Sequence, residues 1–268
     1  MIIDLLRSLL YEPRVRNIDV DDDELLAIHA SILQGKPLLR SAFETFYLDM
    51  AARCDQHFRV PGIEVELGTG AGFFRKLRPS LLTSDVRRLP GIDLTLNAQS
   101  MELEDSSVRC IYAINVFHHL SDPILFFNEL IRVLRPGGGC ILIEPHGGFS
   151  SALLHRYLHR DEHFDPKAAD WHTPDMGGPM SGANQALADI VFRRDLDRFK
   201  SQYSGYLEVL ETGYELNSLR YLLSGGLNFR QLVPSFMDRP LAMLEQAGRP
   251  LARHWSLHQT IVLRRLKD

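Results

Sequence analysis

Glu66, Asp85 and Glu144 each stand at or beside the end of an apolar run in this 268-residue chain, and Asn97 closes another. A carboxylate in that position can accept hydrogen bonds from both hydroxyls of a ribose, and the spacing of about twenty residues between Glu66 and Asp85 is the one such an acid takes. Asn97 offers an amide that both donates and accepts, which suits a purine edge. His118, His119 and His146 follow two further apolar runs, and an imidazole titrates near neutral pH. These three are the candidate general bases for an acceptor that must lose a proton.

The elements that must position these groups begin at residues 60–85, VPGIEVELGTGAGFFRKLRPSLLTSD. Ile63, Val65 and Leu67 make a buried strand, and Gly68, Gly70 and Gly72 then remove side chains at alternate positions. The backbone can turn sharply there and a ligand can lie directly against its N–H groups. A short helix and a second strand ending at Asp85 complete the unit. A dinucleotide fingerprint needs its third glycine one residue later, where Phe73 stands, and no Walker loop occurs anywhere in the chain. A nucleoside without a pyrophosphate fits better. Three carboxylates around one crevice would also repel two phosphates and attract a cation.

The EVELGTGAG…TSD arrangement resembles the class I S-adenosylmethionine-dependent methyltransferases, in particular the small-molecule and glycan-modifying, methyltransferase type 11-like branch. The resemblance extends to Asn97-Ala98, to NVFHH at 115–119 after the fourth strand and to LRPGG at 134–138, which it makes the turn before the fifth strand. It implies that Glu66, Gly68, Thr69, Gly70 and Gly72 surround the methionine part of S-adenosylmethionine, that Asp85 and Val86 meet the ribose, and that Asn97, Ala98 and Asn115 frame the rest of the cofactor. It also implies an α/β fold: a Rossmann-like, seven-stranded, mostly parallel sheet with helices on both faces and its last strand antiparallel and inserted between its neighbours.

Periodicity supports that architecture. Strand, helix and strand alternate through residue 144, with Asp122 and Pro123 marking a helix start. Ahead of the first strand, Ala42, Phe43, Phe46, Tyr47, Met50, Ala51 and Cys54 recur at three- and four-residue steps, one apolar stripe on a helix. The expected organisation is a helical cap over 1–59, a cofactor-binding half over 60–146, an inserted lid over 147–183 and the second half of the core over 184–268. Strands are expected at 206–211 and 255–263, and an exposed loop at Ser224, Gly225 and Gly226 near the acceptor mouth.

With 45% hydrophobic and 24% charged residues the chain reads as an ordinary globular protein, and its net charge of −4 gives no general attraction to nucleic acid. No apolar run approaches the length of a membrane span, and the three cysteines form no disulfide framework, so a cytoplasmic protein is expected. His155, His159 and His163 form a row at four-residue steps, but Arg156 stands where a zinc protease motif needs glutamate, and no metal is expected. The expected reaction is methyl transfer to a hydroxyl, carboxyl or amine of a small molecule or glycan precursor, with neither a nucleic-acid nor a membrane-spanning partner. A nicotinamide-dependent oxidoreductase would share the first strand, the glycines and Asp85 but leaves the early third glycine unexplained. An inactive binding module that kept the fold would be signalled by a lost cofactor residue, and none is lost. Oligomeric state leaves no mark in the sequence.

Overall fold

The computed structural model describes residues 9–16, 18–19, 21–148, 151, 163–173 and 184–266. Seven strands make one sheet: β1 (Ile63–Leu67), β2 (Leu82–Asp85), β3 (Leu94–Thr95), β4 (Val108–Ile114), β5 (Leu134–Pro145), β6 (Leu207–Tyr214) and β7 (His258–Arg265). Their order is β3-β2-β1-β4-β5-β7-β6, with the first five parallel and β7 antiparallel to both neighbours. The expected inserted last strand is therefore present. Its eight residues start and end a little later than the sequence pattern indicates, and β6 runs on to Tyr214, because the two strands pair with each other along their length.

Burial explains the strands. Val65, Ile111, Ile141, Leu142, Ile143, Val262 and Leu263 are all fully buried, since helices cover both faces of the sheet. Helix α1 (Asp23–Gly35) is capped by the Asp22 side chain, and α2 (Pro37–His57) starts with proline at a position that needs no N–H. The stripe read from the sequence is the buried face of α2: Ala42 is buried, and Phe46, Tyr47, Met50 and Cys54 pack on β4, β5 and β7. Each large side chain of that kind contributes about 1.5–3 kcal/mol of burial.

Helix α3 (Phe74–Leu77) follows the glycine turn, and α4 (Pro123–Val133) starts as expected, with the Asp122 carboxylate accepting from the N–H groups of Ile124 and Leu125. Residues 187–202 form α5 (Leu187–Asp189), a π turn (Ile190–Arg194) and α6 (Leu196–Gln202), the Asp195 N–H reaching back to the carbonyl of Ile190. Helices α7 (Ser218–Leu223), α8 (Asp238–Ala247) and α9 (Ala252–Trp255) lie between β6 and β7.

Two expectations are corrected. Ser224 is fully buried rather than exposed, because the Lys36 ammonium of the α1–α2 junction donates to the carbonyls of Gly226 and Phe229, while Tyr11 and Phe229 form an antiparallel bridge. LRPGG is not a turn before β5 but its first residues, with the register against β4 shifted between Val108 and Cys110. His155 and His159 lie outside the described residues. Trp171 is fully buried in the main core, its ring N–H donating to Asp195 at 2.9 Å. No helix among the described residues is long and apolar enough to cross a membrane.

Candidate functional site

The loop after β1 is built for close approach. Gly68 has φ +62°, and a Cβ on it would stand 2.5 Å from Cγ2 of Val116, so the loop and the turn after β4 lie against one another. A Cβ on Gly72 would meet the Tyr47 hydroxyl at 2.5 Å and the Thr69 carbonyl at 2.8 Å. Tyr47, on α2, stacks on Phe74 with ring centroids 4.7 Å apart and supports the loop from below. Leu26 of α1 comes within van der Waals reach of Gly70 from the other side.

Glu66 is buried at the end of β1, and the Thr69 hydroxyl donates to it at 3.0 Å. Burial pushes its carboxyl up to about 7, with the Thr69 hydrogen bond pulling the other way. Asp85 ends β2 with one carboxylate oxygen accepting from the Arg87 N–H at 3.0 Å, while Val86 beside it is half exposed. Asn97 is exposed after β3, its side-chain oxygen taken by the Gln99 N–H, and Ala98 is buried next to it. Asn115, at the end of β4, holds φ +56°, a strained value for a non-glycine residue, and its buried Oδ1 has no hydrogen-bond partner among the described residues. β1, β2, β3 and β4 thus bring Glu66, Asp85, Asn97 and Asn115 to the carboxyl edge of one parallel sheet, beside the glycine loop. That is where ligands bind in open α/β sheets.

Glu144 departs from the sequence expectation of a three-carboxylate rim. It is fully buried and faces the 3-10 turn at Phe117–His119, accepting from the N–H groups of Val116 at 2.9 Å and Phe117 at 2.8 Å. Its other oxygen lies 2.6 Å from Nδ1 of His118. The unsatisfied donors of that turn, together with the imidazole, draw the carboxylate inward.

The three histidines diverge. His118 is buried, and in its neutral form an Nδ1–H donated to Glu144 leaves the lone pair on Nε2. His119 is half-buried, its ring 4.1 Å from that of His118. His146 directs Nε2 at the Arg253 carbonyl, 3.1 Å away, and Nδ1 at Asp189, 3.4 Å away, so protein oxygens occupy both nitrogens. Sequence reasoning missed Asp189, which also accepts from the Gly147 N–H, because nothing in a local pattern links it to a residue on another element. No cluster that could hold a metal ion occurs among the described residues.

The buried unpartnered Asn115 oxygen, the glycine cradle and the carboxylates of Glu66 and Asp85 suit a ligand with cationic N–H groups and a ribose. S-adenosylmethionine fits these residues.

Residues 76–142 match the methyltransferase domain family. An uncharacterized methyltransferase of Mycobacteroides abscessus is 32% identical over 91 residues, covering 32% of this chain and 33% of that protein. Among solved structures, the geranyl diphosphate C-methyltransferase of Streptomyces coelicolor is 13% identical, covering 81% of each chain with a TM-score of 0.44. The phosphoethanolamine N-methyltransferase 2 of Haemonchus contortus is 10% identical, covering 82% of this chain and 53% of its own, with a TM-score of 0.43. The chain spans between 17% and 33% of the length of the curated relatives it matches. The match to a methyltransferase domain thus covers about a quarter of the chain, and the sheet has the Rossmann-like, mostly parallel order with one antiparallel strand that the sequence leads one to expect.

Proposed function

We propose that the protein transfers a methyl group to a hydroxyl, carboxyl or amine of a small molecule or glycan precursor by direct in-line displacement. The observation that carries this reading is the buried Oδ1 of Asn115, an acceptor with no partner among the described residues, at the carboxyl edge beside the glycine loop and Glu66. S-adenosylmethionine supplies an electrophilic methyl group on a sulfonium together with its thioether leaving group, so the protein has mainly to position the acceptor.

Glu66, Thr69, Asn115 and the loop of Gly68, Gly70 and Gly72 would hold the amino-acid end of the cofactor. Asp85 would accept from the ribose hydroxyls, with Val86 against the sugar, and Asn97 and Ala98 would meet the adenine. His118 is the base this geometry favours, because Glu144 fixes its Nδ1 and leaves the Nε2 lone pair for an acceptor proton. His146, engaged at both nitrogens, would tie β5 to the segments after it. Residues 147–183 would cover the acceptor, anchored by Trp171. A small-molecule acceptor accords with the net charge of −4, which offers nucleic acid nothing, and the absence of a spanning helix among the described residues accords with a cytoplasmic enzyme.

Calorimetric titration of the protein with S-adenosylmethionine, with NADH as control, tests the cofactor site. Binding in the micromolar range is expected, and Asp85→Ala should weaken it by roughly tenfold to a hundredfold, since hydrogen bonds to a charged group contribute about 1.5–3 kcal/mol. Tighter binding of NADH than of S-adenosylmethionine would overturn the reading.

A further inference from the structure

Helix α8 presents to solvent the face a surface helix normally hides. Inward go Leu241 and Glu245, the latter fully buried and paired with Arg220 at 2.7 Å. Outward go Met243, 73% exposed, and Leu244, 59% exposed, with Pro240 and Ala247 exposed on the same side. The 3-10 turns flanking the helix, Ser235–Met237 and Arg249–Leu251, extend the stripe through Phe236, 77% exposed, and Leu251, 62% exposed. At helical spacing Phe236, Pro240, Met243, Ala247 and Leu244 fall within an arc of about 100°, a continuous apolar stripe. A stripe of that size left in water marks a surface that meets another apolar phase.

Charge decides which. Arg239, Arg249 and Arg253 are exposed around the stripe. Between residues 220 and 266 the acids are Asp238 and Glu245 alone, and both face Arg220, at 3.8 and 2.7 Å. The patch is therefore cationic on a chain whose net charge is −4. A second copy docked across a two-fold axis would set these arginines near their own counterparts, which is repulsive. An anionic bilayer accommodates both features: its acyl boundary takes the apolar stripe and its phosphates take the guanidinium groups.

We propose that the face formed by Phe236, Met243, Leu244 and Leu251 with Arg239 and Arg249 docks the protein on anionic lipid bilayers, with α8 lying in the interface plane. The face sits on the crevice side of the sheet: the Arg253 carbonyl accepts from His146 beyond the carboxyl end of β5, and β7 starts at His258 opposite Pro145. Docking would bring the crevice to the bilayer surface, where an acceptor carried by a lipid is within reach. That last consequence rests on the methyl-transfer reading; the docking itself does not.

Co-sedimentation of the full chain with vesicles tests it. One set contains equal phosphatidylglycerol and phosphatidylcholine, the other phosphatidylcholine alone. The protein should pellet with the anionic vesicles, less so as salt rises, and Met243→Asp with Leu244→Asp should abolish pelleting without altering the melting curve, since both side chains face solvent. Arg239→Gln with Arg249→Gln should weaken partitioning by about 25-fold, each arginine near an anionic surface accounting for about fivefold. Absence of pelleting with either vesicle, equal pelleting with both, or pelleting unchanged in the aspartate variant would overturn the proposal. So would a concentration-dependent dimer lost in that variant, which would assign the face to a second copy. No methyl donor enters the assay, so a failure of cofactor binding leaves its outcome independent.

Discussion

Glu66 combines a short motif with an unfavourable burial, and its titration follows from both. Its ordinary value is 4.5 and burial raises it to about 7, so between those limits the unfolded chain has lost a proton that the folded chain keeps. Its contribution to stability is fully present below about pH 4.5 and is lost as pH rises through about 7, a change of roughly 3 kcal/mol. Urea unfolding without ligand at pH 4.5–8 should show this decline, and Glu66→Gln should flatten it. A cation favours the carboxylate, so S-adenosylmethionine should bind more tightly as pH rises through about 7, by severalfold between pH 5.5 and 8. Affinity independent of pH over that interval would detach Glu66 from the site.

At the scale of elements, the 3-10 turn at Phe117–His119 depends on a side chain that comes from another strand. Glu144 accepts from three backbone N–H groups, those of Val116, Phe117 and His118, and from the His118 ring. Glu144→Ala leaves those buried donors without an acceptor, and a loss of at least about 3 kcal/mol is expected in chemical denaturation, as for breaking a buried ionic contact. Glu144→Gln keeps an acceptor and should lose less stability. If His118 is the base, that variant should also shift the pH dependence of methyl transfer. The sequence identified Glu144 as a carboxylate at a strand end, as it is, and misjudged its direction. Strand ends are set by local pattern, whereas the choice between crevice and turn is set by which donors the neighbouring strand leaves unsatisfied.

Across the whole molecule, the N-terminal helices are fastened to the sheet and to the segment that follows α7. α2 supplies much of the core on one face, and Lys36 clasps the carbonyls of Gly226 and Phe229 almost two hundred residues away in the chain. The cap and sheet should therefore unfold together in one transition, and Lys36→Met should destabilise by about 1–3 kcal/mol for the carbonyls left without a donor. Two transitions resolved by helical and near-ultraviolet circular dichroism would show the cap to be a separate unit.

The sequence by itself determined the strand order's raw material: alternating buried runs, Gly68, Gly70 and Gly72 in the first turn, an acid at the end of β2 and the Asp122-Pro123 helix start. These are local requirements of backbone conformation and burial, so each is written in adjacent residues. Only the tertiary structure decided that Glu144 turns inward, that both nitrogens of His146 are engaged by Asp189 and Arg253, that Trp171 is buried in the core, and that α8 leaves its apolar stripe in water. Each of those depends on what a distant segment places opposite the side chain. Complementarity between remote segments arises from packing and charge satisfaction in three dimensions, and a one-dimensional pattern carries no record of it.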